Sequence, residues 1–580
     1  MNSPRITNLS PLLGRLTTYR RETLVSDLIA GLVVAIMLVP QAMAYAMLAG
    51  LPPQTGLYAS IVPLILYSLF GTSNALAVGP VAMVSLLVVS GVGELAVPGS
   101  PEFIRLCLTL ALMIGVLQIA MAVLRLGFLV NFISHPVLVG FTSAAAIVIG
   151  FSQIKHLFGV SVKDSSYPIV QIAHTFVGLA HFNPVTLTIG LGSCAILVFF
   201  CFRLASALQV WGIPKNPAET LAKLGPLAAV LIAALVTWWG NLAENSAVAI
   251  VGLIPAGLPQ LTIPDLSLNS LKALLPLALV ITVVGYLESI SVAKALAGMK
   301  QEKVDANREL FALGLADVGA AFTGGFPVTG GFSRSLVNFS SGVKSPVGSI
   351  ITALLVAFSL VFLTPFFFYI PNAVLAAIIV VAVVRLIDIR APFKLWRVCR
   401  ADAIALMITF AAVLGLGIET GILFGIGSTI VLLMWRMSRP HVAVVGRVGG
   451  TEHFRNVLRH PVEQTAGVLA FRVDESLNFA NAPFLENYVE EQVAERPDVH
   501  SVLLISSGIN DIDSTGIDVL GTIIRHLDSR GVKFYLSDVK GPVSDRLKRA
   551  GFERSFFEEH VFLSAHEAIR QLTKPASLLQ

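Results

Sequence analysis

The chain has 580 residues, of which 55% are hydrophobic and only 13% charged, and its mean hydropathy is +0.79. A soluble protein of this length would leave apolar surface in water at such values, so a purely soluble chain is excluded and a bilayer is implied. The formal charge of +5 and the pI near 9.0 do not argue for nucleic acid, because basic excess in a membrane protein records which side its loops occupy.

Residues 1–23 open with MNSPRITNLSPLLGRLTTYRRE, polar and basic with no apolar run or cleavage site, and read as a cytoplasmic segment rather than a leader. Apolar segments then fill 24–437. About 20 apolar residues span a hydrocarbon core of roughly 30 Å. Spans are predicted at 25–49, 53–71, 103–124, 131–152, 183–202 and 225–241, and again at 271–296, 306–322, 346–369, 371–388, 401–417 and 419–437. Two more stretches, 80–96 and 331–342, are shorter or more polar, and each follows a Gly/Pro-rich run; with them the count is fourteen, seven in each half. Threading these spans places Arg15, Arg20, Arg21, Arg125, Arg203, Lys223, Arg390, Lys394, Arg397 and Arg436 on one side. The sparsely basic loops 155–182 and 240–270 fall on the other, which predicts a multi-pass protein of the plasma (inner) membrane with both termini cytoplasmic.

After 437 the composition changes: the tail carries 16 Lys and Arg against 19 Asp and Glu, whereas the preceding residues carry 24 against 16. Residues 438–465 read as a linker and 466–575 as a soluble α/β domain. Within it VHSVLLISSGIND (Val499 to Asp511) reads as a buried strand, DSTGIDVLGTIIRHLDSRG as a helix capped near Asp513, and VKFYLSDV as the next strand. The four cysteines, Cys107, Cys194, Cys201 and Cys399, include no CxxC pair and no histidine cluster lies near them, so neither a disulfide framework, a metal site nor a cofactor is indicated.

The chemistry concentrates in the third segment of each half, TSNALAVGPVAMVSLLVV (Thr72 to Val89) and TGGFPVTGGFSRSLVNFS (Thr323 to Ser340). Short, Gly/Pro-interrupted segments in corresponding positions of two halves point to a transporter's midplane site. Each reads as an extended strand to mid-bilayer followed by a half-helix starting near Val81 or Phe332. Unpaired backbone in lipid is costly, so such breaks persist only where protein or a wet cavity satisfies them. Two helix N-termini aimed at one point, each with free N–H groups and about half a positive charge, make an anion site. The alternative is that Gly79-Pro80 and Gly330-Gly331 merely kink packed helices.

Two ionisable residues fall mid-segment, Glu288 and Arg334. A charge at the bilayer centre costs about 2.5–3.5 kcal/mol on insertion scales and tends to be kept for function. Arg334 is read as the anion holder and Glu288 as the carrier of a coupling proton, with a buried salt bridge between them as the alternative. An anionic Glu288 beside Arg334 neutralises the charge the substrate needs; a proton on Glu288 releases it. One proton does not balance a dianion, so uptake against an inside-negative potential requires a second proton or exchange. Asp317 is the candidate second proton site, with a capping role as its alternative. Gln41 and Tyr45, four residues apart, share a helix face; turned inward they would hydrogen-bond an oxyanion, and helix–helix hydrogen bonding is the competing reading.

The strings PQAMAYAMLAGLPPQTGLY (Pro40 to Tyr58), VGPVAMVSLL (Val78 to Leu87) and GGFPVTGGFSRSLVN (Gly324 to Asn338) resemble the signatures of the SulP sulfate-permease family. The resemblance implies a mostly α membrane protein with fourteen spans in a seven-plus-seven inverted repeat, a core domain moving against a gate domain in an elevator-like motion, and a homodimer. It also implies anion binding by Gln41 and Tyr45, by backbone around Val81 and Ala82, and by Gly331, Phe332, Ser333 and Arg334 on the tenth segment. Glu288 matches an eighth-segment carboxylate associated with proton coupling. Sodium-coupled bicarbonate members carry an aspartate and neighbouring hydroxyls there, where this chain has Glu288 and Gly330-Gly331. The tail is similar to a STAS domain, whose soluble relatives are phosphorylated at the position of Ser514; a helix N-cap is the alternative role for that serine, and a contact surface for a second subunit or a cytoplasmic protein is the expected job of the domain. The expected function is secondary transport of a small inorganic oxyanion with protons, sulfate first, with no enzymatic activity; bicarbonate, C4-dicarboxylates, or an anion exchanger or channel are the alternatives.

Overall fold

The computed structural model describes residues 19, 21–128, 134–160, 168–178, 180 and 182–573. Arg15, Arg20, the start of the predicted 131–152 span, parts of the 155–182 loop and the last residues of the predicted 466–575 domain therefore lie outside the described residues. The chain divides into two compact units, Met1–Thr429 and Ile430–Gln580.

Each predicted span has a helix in the first unit. The first half contributes α1 (Arg21–Leu48), α2 (Val62–Phe70, preceded by a short helix Pro53–Tyr58), α3 (Ala82–Val92), α4 (Pro101–Val123), α5 (His135–Phe158), α6 (Pro184–Phe199) and α7 (Gly225–Trp239). The second contributes α8 (Leu268–Lys300), α9 (Ala306–Phe322), α10 (Phe332–Ser340), α11 (Val347–Phe362), α12 (Asn372–Val384), α13 (Arg400–Leu416) and α14 (Ile418–Ser438), the last continuing past the division between the units. The single 53–71 span of the sequence reading is broken at Ala59–Ile61, between a helix that opens at Pro53 and one with Pro63 in its first turn. The predicted 155–182 loop contains a helix, Pro168–Gly178, and α6 continues through a π-turn at Phe200–Leu204 into Ala205–Val210.

Apolar side chains face both lipid and neighbouring helices, so packing relies on small residues that let backbones touch. A Cβ on Gly115 of α4 would lie 2.7 Å from the Gly314 carbonyl of α9, and one on Gly314 would lie 2.7 Å from the Gly115 carbonyl. The same close approach recurs between Gly31 of α1 and the Gly348 carbonyl of α11, at 2.8 Å, and between Gly140 of α5 and the Leu406 carbonyl of α13, at 2.5 Å.

With 11 and 9 residues, α3 and α10 reach only about 16 Å and 14 Å at 1.5 Å per residue, roughly half a bilayer. Each is preceded by non-helical chain that ends in a short strand, β1 (Val78–Gly79) and β2 (Thr329–Gly330), and the two strands pair antiparallel with Val78 opposite Gly330 and Gly79 opposite Thr329. Their backbone is thus satisfied by pairing in the protein interior, as a bilayer requires.

Asp27 of α1 ties down the chain leaving α10. Fully buried, it accepts from the Lys344 amide at 2.7 Å, the Ser345 amide at 3.1 Å, the Ser345 hydroxyl at 2.5 Å and Tyr19 Oη at 2.8 Å. Asp27→Ala leaves two amides without that acceptor at a cost of about 1–3 kcal/mol each if both stay dry, so thermal unfolding of the purified protein in detergent should show a clearly lowered midpoint; an unshifted midpoint contradicts this role.

In the second unit six strands form one sheet in the order β4-β3-β5-β6-β7-β8, where β3 is Val442–Arg447, β4 Phe454–Asn456, β5 Val468–Val473, β6 Ser501–Ile505, β7 Lys533–Ser537 and β8 Val561–Phe562. β5 to β8 run parallel and β3 antiparallel to both its neighbours. Alternating strand residues feed two cores: Phe471, Val502 and Leu504 pack with Leu485 of α15 (Ala482–Ala494) and Leu520 of α16 (Ser514–Ser529), whereas Ala470 and Leu503 pack with Ala565 and Ala568. The strand read over Val499 to Asp511 is shorter, because a 3₁₀ turn at Ser506–Gly508 ends it. Asp513 is the α16 N-cap, accepting from the Gly516 amide at 2.7 Å, so Ser514 is the first helical residue, exposed, and not the cap.

Candidate functional site

The β1–β2 pair brings the two half-helix N-termini together, and side-chain hydroxyls hold them there. Ser335 Oγ accepts from the Ala77 amide at 2.9 Å and donates to the Gly331 carbonyl at 2.7 Å, so one residue of α10 holds both chains. Asn338 donates to the Ala75 carbonyl at 3.1 Å. On the other side the Gly330 amide donates to Ser289 Oγ at 2.8 Å, and Thr329 Oγ1 donates to the Gly285 carbonyl at 2.6 Å, which locks β2 onto α8. Ser289 follows Glu288, so the same lock places that carboxyl beside the crossing.

Helix α3 starts at Ala82 with Val81 as its N-cap, and α10 at Phe332 with Gly331 as its N-cap; neither cap residue supplies a side-chain acceptor. The first amides of each helix lack intrahelical acceptors by geometry. Both ends open onto a cavity of about 480 Å³ whose lining includes Gln41, Tyr45, Val81, Ala82 and Glu288, together with Gly331, Phe332, Ser333 and Arg334. Every residue singled out for anion binding, and the proton-coupling candidate, thus meets at one place.

Arg334 is 2% exposed. Its Nη1 donates to the Pro80 carbonyl, while Nε and Nη2 are buried with no protein acceptor. Glycine makes room for it: a Cβ on Gly331 would lie 3.0 Å from Nη2, and one on Gly79 would lie 3.3 Å from the same atom. Glu288 Oε2 is likewise buried without a partner, so among the described residues neither it nor those two guanidinium donors is consumed by the other. Asp317 is placed elsewhere. Completely buried in α9, it accepts from the Val328 amide at 2.7 Å and does not line the cavity.

The cavity's walls differ. The groups singled out for the anion lie on α1, α3, α8 and α10, whereas Leu197 and Phe200 at the end of α6 and Ile378, Val381 and Ala382 of α12 contribute apolar lining. Glu219, Lys223 and Arg385 also line the cavity. Lys223 Nζ donates to Ser341 Oγ at 3.3 Å. The sequence reading missed Ser289, Ser335 and Asn338, whose partners are distant in the chain, and it missed Asp27 and Glu309, acidic residues near helix ends. None of the four cysteines is joined in a disulfide. In the tail Glu486, Glu490 and His526 come within 4.8 Å of one another, joining α15 to α16 through a 3.0 Å contact between Glu490 and His526.

Residues 24–409 match the sulfate permease family and residues 460–568 the STAS domain. The chain is 37% identical over 577 residues to the chloroplastic sulfate transporter 4.1 of Arabidopsis thaliana, covering 97% of this chain and 82% of that one. Among solved structures it is similar to murine solute carrier 26 family member A9, an anion transporter in the inward-facing state, with a TM-score of 0.87, 25% identity and coverage of 98% and 95%. It shares the fold of the transmembrane domain of the cyanobacterial bicarbonate transporter BicA at a TM-score of 0.58 and 21% identity, over 71% of this chain and 98% of that one. Two broken helices crossing at a buried arginine, on a fold shared with membrane anion transporters and followed by a STAS domain, leave one assignment: the chain belongs to the sulfate permease family.

Proposed function

We propose that this chain is a proton-coupled sulfate transporter of the plasma (inner) membrane. The observation that carries the reading is the buried guanidinium of Arg334, with Nε and Nη2 unpaired, beside two uncapped helix N-termini in one cavity. One full charge and about half a charge from each helix end sum to roughly two positive charges, which complements a dianion. The names of relatives 37% and 32% identical, sulfate transporters of Arabidopsis thaliana, support sulfate as that dianion.

The asymmetry of the cavity walls supports an elevator-like cycle. With the anion-binding groups on α1, α3, α8 and α10 and apolar lining from α6 and α12, those four helices carry the site past α6 and α12 as one body. Both termini are cytoplasmic, the protein works as a homodimer, and the tail offers a surface to the second subunit or to a cytoplasmic protein.

The test is uptake of labelled sulfate into proteoliposomes containing the full chain, with an imposed pH gradient and with bicarbonate and fumarate compared in parallel. Saturable sulfate accumulation that collapses with the gradient is the expected result. Preference for fumarate or bicarbonate, a sodium requirement without a pH effect, or single-channel currents each contradict the proposal.

A further inference from the structure

Two buried carboxylates on α9 take no part in the cavity, yet each grips the chain that leads into one half-helix. Glu309, fully buried, accepts at Oε1 from the Thr72 amide at 2.7 Å, the Thr72 hydroxyl at 2.5 Å and the Ser73 amide at 3.1 Å, and at Oε2 from Tyr67 Oη at 2.8 Å. These donors belong to α2 and to the segment that runs into β1. Asp317, eight residues further along, accepts from the amide of Val328, the residue before β2. Eight residues on a helix separate the two by roughly 12 Å along the axis and roughly 80° around it, so one helix reaches both approach segments.

Such help is needed. The β1–β2 ladder has only two residue pairs, too few to hold its register alone, so it depends on the contacts made by α8, α9 and α10. The direction of each half-helix N-terminus depends on where its approach segment is held, and α9 is a firm support because its backbone lies against that of α4 at Gly115 and Gly314. We propose that Glu309 and Asp317 are positioning residues: a two-point clamp on α9 that sets the convergence of the α3 and α10 N-termini on the cavity, without titrating during transport. The proposal rests on the reading of that cavity as the anion site and assigns Asp317 an acceptor's role in place of a proton carrier's.

The experiment compares Glu309→Gln and Asp317→Asn, which keep an acceptor oxygen in place, with Glu309→Ala and Asp317→Ala, which do not, in full-length protein reconstituted in proteoliposomes. The amide variants should retain the pH profile of sulfate uptake and a KM within about threefold of the parent, whereas the alanine variants should raise KM by about tenfold or more, the loss expected when a charge-assisted hydrogen bond that sets the site's geometry is removed. If an alanine variant does not fold, the matching Asn or Gln variant still decides. Asp317→Asn that loses gradient-driven uptake while exchange continues makes Asp317 a proton carrier and overturns the clamp. Wild-type KM in well-folded Asp317→Ala and Glu309→Ala also overturns it. Arg334→Ala, measured beside them, tests the site itself: undiminished sulfate binding there refutes the anion-site reading whatever the α9 variants do.

Discussion

Arg334→Ala is expected to abolish saturable sulfate uptake and to weaken equilibrium binding by at least about a hundredfold, the scale of losing two charge-assisted hydrogen bonds from a desolvated site. Among the described residues the guanidinium makes one hydrogen bond, to the Pro80 carbonyl, and leaves Nε and Nη2 unpaired in the interior. A buried charge held so incompletely costs stability rather than adding to it. The thermal midpoint of the variant should therefore stay level or rise while binding disappears, a combination that a folding defect does not produce. Arg334→Lys restores the charge without the planar fork and should recover only part of the affinity. Calorimetric titration of detergent-purified protein with sulfate separates these outcomes, and wild-type affinity in Arg334→Ala would falsify the site.

The half-helices were legible in the chain because their signature is local: Gly79-Pro80 and Gly330-Gly331 interrupt apolar runs at matching places in the two halves. Two apolar N-termini with no side-chain cap would be an error in a soluble helix, and that irregularity marks the site. Glu288 and Arg334 stood out as the clearest charges near the middle of a span. What could not be read is the lattice of hydrogen bonds that aims these parts. Ser335 meets Ala77 across 258 residues, Ser289 meets Gly330 across 41, and Glu309 meets Thr72 across 237. A serine in an apolar helix commonly bonds back to its own turn, so its sequence neighbours carry no trace of a distant partner. Asp27 and Glu309 were hidden for a different reason. An acid in the first turns of a helix is what the helix dipole favours anyway, and the same residue type serves at a surface end and in a buried anchor.

Glu288→Gln is expected to abolish sulfate accumulation driven by a pH gradient while leaving sulfate–sulfate exchange intact. Charge balance at the site sets this outcome. The two helix ends and the guanidinium present roughly two positive charges, and an ionised Glu288 reduces that to roughly one, too little for a dianion. With a proton on Glu288 the site and a dianion sum to about zero, so substrate and proton occupy it together; that mutual requirement is what couples their fluxes. Glutamine fixes the proton-loaded charge state, which lets the anion bind and cross in either direction but removes any dependence on the proton. In vesicles clamped at zero potential, acidifying the outside should stimulate uptake by the parent protein and leave Glu288→Gln unmoved. A membrane potential adds a second diagnostic. With one proton per sulfate, one net negative charge moves, which an inside-negative potential opposes by about 2.3 kcal/mol per 100 mV, more than the roughly 1.4 kcal/mol supplied by one pH unit. Potential-opposed uptake in the parent therefore means one proton per anion, and potential-insensitive uptake means two, or exchange. Normal gradient-driven accumulation by Glu288→Gln removes this carboxyl from the coupling step, because no group that cannot release a proton can hand one across.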